Sequence, residues 1–493
     1  MSGISPYHDA PNADIRPPAS CKVVAASTLL RHTSIYANDD EYEDYMQPFI
    51  ERVERLQKDK KRKIDKDSPL SFLNRWTSPI NDDNLEDVTD PGRADAREFG
   101  VRMRDAYGHL MPPKQLGKNK SHGRDDLSKM GKKGKKVPPF KVWSASSKRD
   151  VITSEEWIKG AFPHWQGGDE GDGDGTVISL VKVPNNSTEW AEALTPHKVC
   201  PAFSKEVGKP EAQEWLEHYG PPILDRWRAQ APGLELELND VIAMAMLCGY
   251  ETVITKQRES QFCSRDIFTP DDFRAFGYWN DIKYHFIVGY ASPVAPYLGI
   301  GWLNTSTHNL LSIYDRSHGD HDSSVPVSLQ DDEASEETSL SKKKKKNKEK
   351  PELPGPSHPP GGTHSQLFFA YVTHREEPPL AAVALGIWNT TSLATDHIER
   401  RREWQTSHLL PFLGHITIER LACDDVQQQV DDDDEDDETK DAFVRVVVNG
   451  APQALPYCHD GPGGTCPIED FATHVRERSE LWKDREGACE KRD

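Results

Sequence analysis

Arg31-His32 directly follows a strand-like run at residues 22–30, and His374-Arg375-Glu376 directly follows a second at residues 366–373. An open α/β sheet gathers ligand-binding groups at the carboxyl ends of its strands, so two segments this remote can share one pocket. Two imidazoles, two guanidinium groups and a carboxyl together suit phosphoryl transfer through histidine. One ring attacks phosphorus, the cations neutralise the equatorial oxygens, and an acid protonates the departing oxygen. A third segment, residues 144–154, follows a short apolar stretch and leads into a helix. Arg149 therefore lies near a helix start, where backbone N–H groups and the dipole favour bound anions.

The second and third of these segments belong to a longer ordered set of motifs. The set begins with Ser-Ser-Lys-Arg-Asp-Val-Ile-Thr-Ser with Gly160-Ala-Phe, Leu194-Thr-Pro-His-Lys-Val-Cys-Pro-Ala-Phe203, Leu247-Cys-Gly-Tyr-Glu-Thr-Val-Ile254 and Phe268-Thr-Pro-Asp-Asp-Phe273. Then come Leu298-Gly-Ile-Gly-Trp-Leu-Asn304, Thr373-His-Arg-Glu-Glu-Pro-Pro379, Pro411-Phe-Leu-Gly-His415 and Phe443-Val-Arg-Val-Val-Val-Asn449, the last with Leu455-Pro-Tyr-Cys458 and Cys466. In this ordered set the chain resembles the histidine acid phosphatases, the second branch of the histidine phosphatase superfamily, which includes phytases and inositol polyphosphate phosphatases. The resemblance implies that His32 is the nucleophile and that Arg31, Arg149 and His374 contact phosphate. It makes Glu376 the general acid, with Glu377 the competing choice. No metal and no cofactor are implied, and the partner is a small phosphomonoester, with inositol phosphates among the candidates.

One departure matters. The family signature is Arg-His-Gly-x-Arg-x-Pro, whereas this chain reads Arg31-His-Thr-Ser-Ile-Tyr-Ala37. Thr33 replaces glycine, and Ile35 stands where a second phosphate-binding arginine is expected. A lost guanidinium removes a bidentate, charge-assisted pair with phosphate. Arg375 is expected to fill that gap in part. The contrary reading is a phosphate-binding pseudoenzyme with weakened or lost turnover. A phosphoglycerate mutase-like transferase shares the histidine chemistry, usually on a smaller chain.

Composition agrees with an enzyme of small anions. A length of 493 residues allows two or three domain-sized units. The net charge of -20 argues against a general nucleic-acid binder, because long-range repulsion opposes phosphate polymers while a local arginine cluster can still hold one ester. Attack needs a neutral imidazole, with an ordinary pKa of about 6.5, and a protonated carboxyl, with one of about 4.3. Arginines near the ring lower its proton affinity, so the rate should peak below neutrality.

The eight cysteines are even in number. Cys248 with Cys263 and Cys458 with Cys466 bracket short loops and read as local disulfides. The resemblance pairs Cys200 with Cys489, and Cys21 and Cys423 then remain for each other. Cysteines and the sequons at Asn119, Asn185, Asn186, Asn304 and Asn389 suit a secreted or luminal glycoprotein. The first ten residues carry no signal-peptide pattern, so the expectation is that the chain as given lacks its targeting segment. No apolar stretch is long enough to span a bilayer.

The elements that would position these groups follow from pattern. The expected fold is α/β, a mixed and mostly parallel sheet flanked by helices, phosphoglycerate mutase-like, with an inserted all-helical cap. Residues 1–20 read as a tail, 21–154 and 301–493 as a discontinuous phosphatase domain, and 155–300 as the cap. Residues 41–61 form a charged helix with Tyr45, Phe49 and Val53 on one face. Asp90 reads as an N-cap with Pro91 first in the helix. Helices are expected over 211–230, 239–248 and 271–290, the aromatics of the last serving as core, and a strand over 442–449. Residues 114–136 read as a mobile basic loop and 424–440 as an acidic one. Residues 315–363 read as a disordered insertion holding Lys342–Lys346 and a histidine-aspartate cluster at 318–322.

Overall fold

The computed structural model describes residues 2–59, 63–112, 139–163, 178–186, 194–255, 259–317, 366–390, 392–423 and 442–491. Its centre is a mixed sheet of β1 (Cys21–Arg31), β2 (Phe140–Ala145), β3 (Ile178–Val183), β4 (Phe368–Thr373), β5 (His415–Cys423), β6 (Ala442–Val448), β7 (Ala451–Gln453) and β8 (Cys466–Pro467). The order is β3-β2-β4-β1-β5-β6-β7, with β8 on β6. Strands β3, β2, β4 and β1 run parallel, and the remaining pairs are antiparallel. Arg31 lies opposite Thr373, and Ser144 opposite Val372. Strands β2, β4 and β1 therefore end side by side.

The principal helices are α1 (Gln47–Lys58), α2 (Asp90–Tyr107), α3 (Lys148–Ala161), α4 (Lys209–Gln230), α5 (Asp240–Thr255), α6 (Pro270–Ile287), α7 (Ala295–Ser317), α8 (Glu377–Leu385), α9 (Ile468–Leu481) and α10 (Arg485–Cys489). Burial on both faces accounts for the unbroken apolar runs of the parallel strands. Ala26, Leu30, Val142, Ala370 and Val372 pack on Phe99 and Met103 of α2 and Trp157 and Ile158 of α3. The alternate residues Ala25, Leu29, Trp143, Phe369 and Tyr371 pack on Trp302 and Leu303 of α7, Leu385 of α8 and Phe471 of α9. A second core joins α1, α4, α5 and α6 through Phe49, Val53, Trp215, Trp227, Tyr250, Phe262, Tyr278 and Trp279. The aromatics of α6 are thus core, as their spacing predicts.

Three expectations change. The stretch 155–300 is not all cap: it contains the second half of α3 and the whole of β3, which finds a parallel partner in β2. Residues 1–20 are no loose tail. Ile4 is buried, the Ala10 amide donates to the Asn449 carbonyl, and the Arg445 guanidinium holds the carbonyls of Ile15 and Arg16. Apolar Ile4 and Tyr7 find slots that a Pro-rich composition conceals. The cap of α2 is Thr89 and not Asp90, because the Thr89 hydroxyl accepts from the Gly92 amide. The insertion expected from 315 starts later, because residues 315–317 still belong to α7; the rest of it, with its lysine run and His/Asp cluster, the basic loop at 114–136 and the acidic loop at 424–440 lie outside the described residues. Among the described residues, no helix is long and apolar enough to cross a membrane.

All four disulfides form as expected: Cys21–Cys423, Cys200–Cys489, Cys248–Cys263 and Cys458–Cys466. The first joins facing positions of β1 and β5. The second ties the α10 end to the segment just before α4.

Helix α3 carries Arg149 in its first turn, so what seats α3 also places the site. It crosses α2 at two glycines. A Cβ on Gly160 would strike the Arg97 carbonyl, and one on Gly100 the Trp157 carbonyl. Gly160→Ala should force the helices apart at a cost of about 1–3 kcal/mol, typical of overpacking. Thermal denaturation should show the lowered midpoint, and turnover should fall with it. An unchanged midpoint would mean that the crossing is looser than described.

Candidate active site

Three neighbouring parallel strands deliver the candidate residues to one edge of the sheet. His32 leaves β1, His374 leaves β4, and Ser146-Ser147 lead from β2 into α3. The His32 amide donates to the Thr373 carbonyl at 2.9 Å, fastening the first two ends together. A cleft of about 390 Å³ opens there, lined by His32, Arg149, His374, Arg375 and Glu376 among others. These are five of the six residues expected from sequence to do chemistry; the sixth, Arg31, lies behind that lining.

His32 is 1 % exposed. Its Nδ1 lies 2.8 Å from the Thr33 carbonyl, which can only accept, so Nδ1 carries the proton and Nε2 keeps its lone pair. Burial, and then the charges of Arg149 and Arg31, push the ring's pKa well below its ordinary value. The ring is therefore neutral without any base to deprotonate it.

The departure at positions 33 and 35 has a structural consequence. The Thr33 hydroxyl donates to the Gly92 carbonyl at 2.7 Å, and its amide donates to Thr153 of α3 at 3.0 Å. Ile35 is fully buried and bridges to Val88, and the Glu86 amide donates to the Ala37 carbonyl. Ile35 therefore supplies no charge but anchors the turn that presents Glu86, whose carboxylate is 2.6 Å from the Arg149 guanidinium.

Each arginine is restrained differently. Arg31 Nη1 donates to the carbonyls of Gly3 and Leu410, and its guanidinium lies 4.3 Å from the centre of the Phe412 ring. Burial and the nearby Arg375 lower its pKa to about 10. Burial also opposes the charge of Arg149, but Asp150, Glu86 and Glu376 outweigh it and raise the pKa. Arg375 Nη1 pairs with Glu41 at 2.5 Å. Glu41 also accepts from Tyr250 and Asn38. Burial alone would raise the Glu41 carboxyl, yet Arg375, Lys283 and these donors hold it at about 2. Arg31 Nε and Nη2, Arg149 Nε and Arg375 Nε are buried without a hydrogen-bond partner among the described residues. Buried donors left unpaired each cost about 1–3 kcal/mol, and Arg149 and Arg375 line the cleft, where an anion would satisfy them.

The two glutamates after Arg375 part company. Glu376 lines the cleft. Glu377 opens α8 and turns away, 2.5 Å from His197 Nδ1 and accepting from the Thr373 hydroxyl at 3.2 Å. Burial would raise the Glu376 carboxyl, but Lys205, His197 and Arg375 hold it well below the usual range. His374 has Nε2 at 3.2 Å from the Ser147 hydroxyl and Nδ1 at 3.1 Å from Asp150. Burial and Arg149 lower its pKa, and burial raises that of Asp150.

Sequence reading did not single out Glu41, Glu86, Lys198, Lys205 or Phe203 as site residues. His197 appeared only inside a longer motif. One signal was available, since His197 stands three residues before Cys200, whose disulfide pins that turn. Among the described residues, His197, Glu376 and Glu377 lie within 4.8 Å of one another, close enough to hold an ion. Lys205 at 3.9 Å and Arg375 at 4.0 Å from Glu376 already supply positive charge there, which disfavours a divalent cation.

Comparison with known proteins bears on this geometry. The family model of the histidine phosphatase superfamily (branch 2) matches residues 33–449. Acid phosphatase PHO1 of Komagataella pastoris is 21% identical over 94% of this chain and 79% of its own length. Phytase A of Aspergillus oryzae is 22% identical over 92% and 82%. The crystal structure of the phytase from D. castellii superposes with a TM-score of 0.68 at 19% identity, covering 97% of this chain and 84% of that one. The multiple inositol polyphosphate phosphatase of Bifidobacterium longum, in complex with inositol hexasulfate, gives 0.57 at 11% identity over 96% and 97%.

Proposed function

The chain belongs to the histidine phosphatase superfamily, branch 2, and from that premise we propose that it cleaves phosphomonoesters in two steps through a phosphohistidine on His32. It is a histidine acid phosphatase, a phosphoric monoester hydrolase. The observation that carries the proposed mechanism is that a neutral His32 lines one cleft together with Arg149 and Arg375, whose Nε donors have no partner among the described residues. In the first step Nε2 attacks phosphorus and the P–O ester bond breaks. Arg149, Arg375 and His374 stabilise the charge on the transferring oxygens, with Arg31 behind them. Glu376 protonates the departing alkoxide. In the second step water attacks phosphorus, Glu376 takes the water's proton, and the P–N bond breaks to release phosphate.

The ionised state of Glu376 in the free site is compatible with its role as acid. A phosphate dianion neutralises the cations that hold its carboxyl down, so binding raises its proton affinity. The substrates we infer are small phosphomonoesters, with inositol phosphates included because relatives are phytases and a structural neighbour holds inositol hexasulfate. The four disulfides support a secreted or luminal site of action. The direct test is rapid acid quenching with labelled ester: labelled phosphate should appear on His32. A panel of phytate, sugar phosphates and an aryl phosphate then ranks the substrates. Turnover with no trapped phosphate on His32 would defeat this mechanism.

The pH profile follows from the same shifts. His32 stays neutral below its ordinary pKa, while the basic limb is set by loss of the Glu376 proton. The rate should therefore be bell-shaped with its maximum below pH 7; a maximum well above 7 contradicts the assignment. Stability runs the other way. His32, His374 and His415 have lowered folded-state pKa values, about 4 for His415. The unfolded chain binds more protons between that range and about 6.5, so these groups destabilise the fold progressively as pH falls through it. Thermal midpoints should drop from pH 7 to pH 4 while activity at low temperature rises over part of the same range.

A further inference from the structure

We infer that Asn185, just beyond the end of strand β3, is a positioning residue for His374: it fixes the Ser147 hydroxyl, and Ser147 in turn holds the imidazole by its Nε2. This rests on the reading of His374 as a phosphate-contacting residue in the two-step reaction above.

Sheet register brings these groups together. Ala145 of β2 lies opposite Val183 of β3, and Ser147 and Asn185 each follow two positions later. There the backbone N–H of Asn185 donates to the Ser146 hydroxyl at 3.1 Å, and the backbone N–H of Ser146 donates to Asn185 Oδ1 at 3.2 Å. A backbone N–H can only donate, so the carboxamide atom that meets it is the oxygen, and the NH2 group faces the other way. That group donates to the Ser147 hydroxyl oxygen at 2.7 Å. Lys198 Nζ approaches the same oxygen at 3.5 Å. With its lone pairs so engaged, Ser147 directs its own proton to His374 Nε2, 3.2 Å away.

Ser147 forgoes its ordinary local use to do this. It is the N-cap residue of α3, a place where a serine oxygen usually accepts from an amide of the first turn, yet its hydroxyl makes no such bond. The oxygen is turned instead toward Asn185 and His374. His374 is buried and lines the cleft, whereas Ser147 and Asn185 are half-buried and stand behind that lining. Asn185 therefore acts on the ring without touching the ester. A side chain that must meet a transferring phosphoryl group within a fraction of an ångström depends on partners of this kind. One further consequence is chemical. Asn185 Nδ2 is the atom that would carry a glycan in the sequon beginning at that residue, so its bond to Ser147 requires it to stay unmodified.

The test is a double-variant cycle on an aryl phosphate at about pH 5.5, where an aspartate is ionised. Asn185→Asp keeps an oxygen for the Ser146 amide, but its second oxygen accepts where the NH2 group donated and draws the Ser147 proton away from His374. It should lower kcat by about tenfold with an unchanged thermal midpoint, a loss within reach of a small misplacement. Ser147→Ala should cost about the same, and adding Asn185→Asp to it should cost less than about twofold more. The charge of the new carboxylate would act with or without Ser147, so losses that multiply in the double variant would overturn the proposal. An unchanged kcat in Asn185→Asp would also overturn it. So would a fall matched by a lowered midpoint, which would make Asn185 a brace for the turn. Peptide mapping of active wild-type enzyme should find Asn185 without a glycan, and a glycan there would count against the assignment just as decisively. His374→Ala should cost more than either single variant. If it costs nothing while the other two do, the reading of His374 fails instead, and Asn185 loses its role with it.

Discussion

His32→Ala should lower turnover by about a hundred-thousandfold or more, the scale seen when a covalent nucleophile is deleted. The reason is geometric. Nε2 of His32 is the ring nitrogen left free by the bond from Nδ1 to the Thr33 carbonyl, and it sits among Arg149, His374 and Arg375. Of the other histidines that line the cleft, His374 has its Nε2 beside the Ser147 hydroxyl and His197 has its Nδ1 on Glu377. The variant should still bind inorganic phosphate, because the guanidinium donors remain. It should also be no less stable at pH 5 than the wild type. A histidine whose folded pKa is depressed subtracts stability as pH falls, and its removal takes that penalty away. The measurement is kcat on an aryl phosphate together with the thermal midpoint at pH 5 and 7. A variant that folds, binds phosphate and turns over within a hundredfold of wild type would remove His32 from the chemistry.

How legible this site was in the sequence depended on burial. Strands β1 and β4 are covered on both faces, so they read as continuous apolar runs, and a histidine directly after such a run stands out. Arg149 was legible because a short apolar strand and a helix start flank it. Glu41, Glu86 and Lys205 were not. Each is a charged residue in a polar stretch, the pattern of a solvated surface, and the reason Glu41 is buried is a partner more than three hundred positions away. Pairing of remote charges leaves no local trace. The same limit hid β3, whose six residues carry little periodicity and become a strand only through β2. The choice between Glu376 and Glu377 was open for a related reason. Adjacent residues at the start of a helix point to different sides, and which side meets the cleft depends on His197, supplied from elsewhere.

Arg375→Ala tests whether a guanidinium from the opposite loop does what Ile35 cannot. Ile35 is buried against Val88, so its position contributes no donor to the cleft. Arg375 lines the cleft, and its Nε is buried without a partner among the described residues. Loss of such a donor from a dry site should lower kcat/KM by about a hundredfold to a thousandfold, as for a deleted oxyanion-hole group, and weaken inhibition by inorganic phosphate. Arg375 also balances Glu41, and breaking a buried ion pair from one side costs about 3–5 kcal/mol. Tyr250 and Asn38 still donate to Glu41, so the lower end of that range is expected. Stability and catalysis must then be separated. Adding Glu41→Gln to Arg375→Ala removes the unpaired charge, and the double variant should regain most of the lost thermal midpoint without regaining phosphate affinity. If it regains both, Arg375 matters only as the counter-ion of Glu41. The cleft would then bind phosphate with Arg149 and the two histidines, the guanidinium expected at position 35 having no substitute.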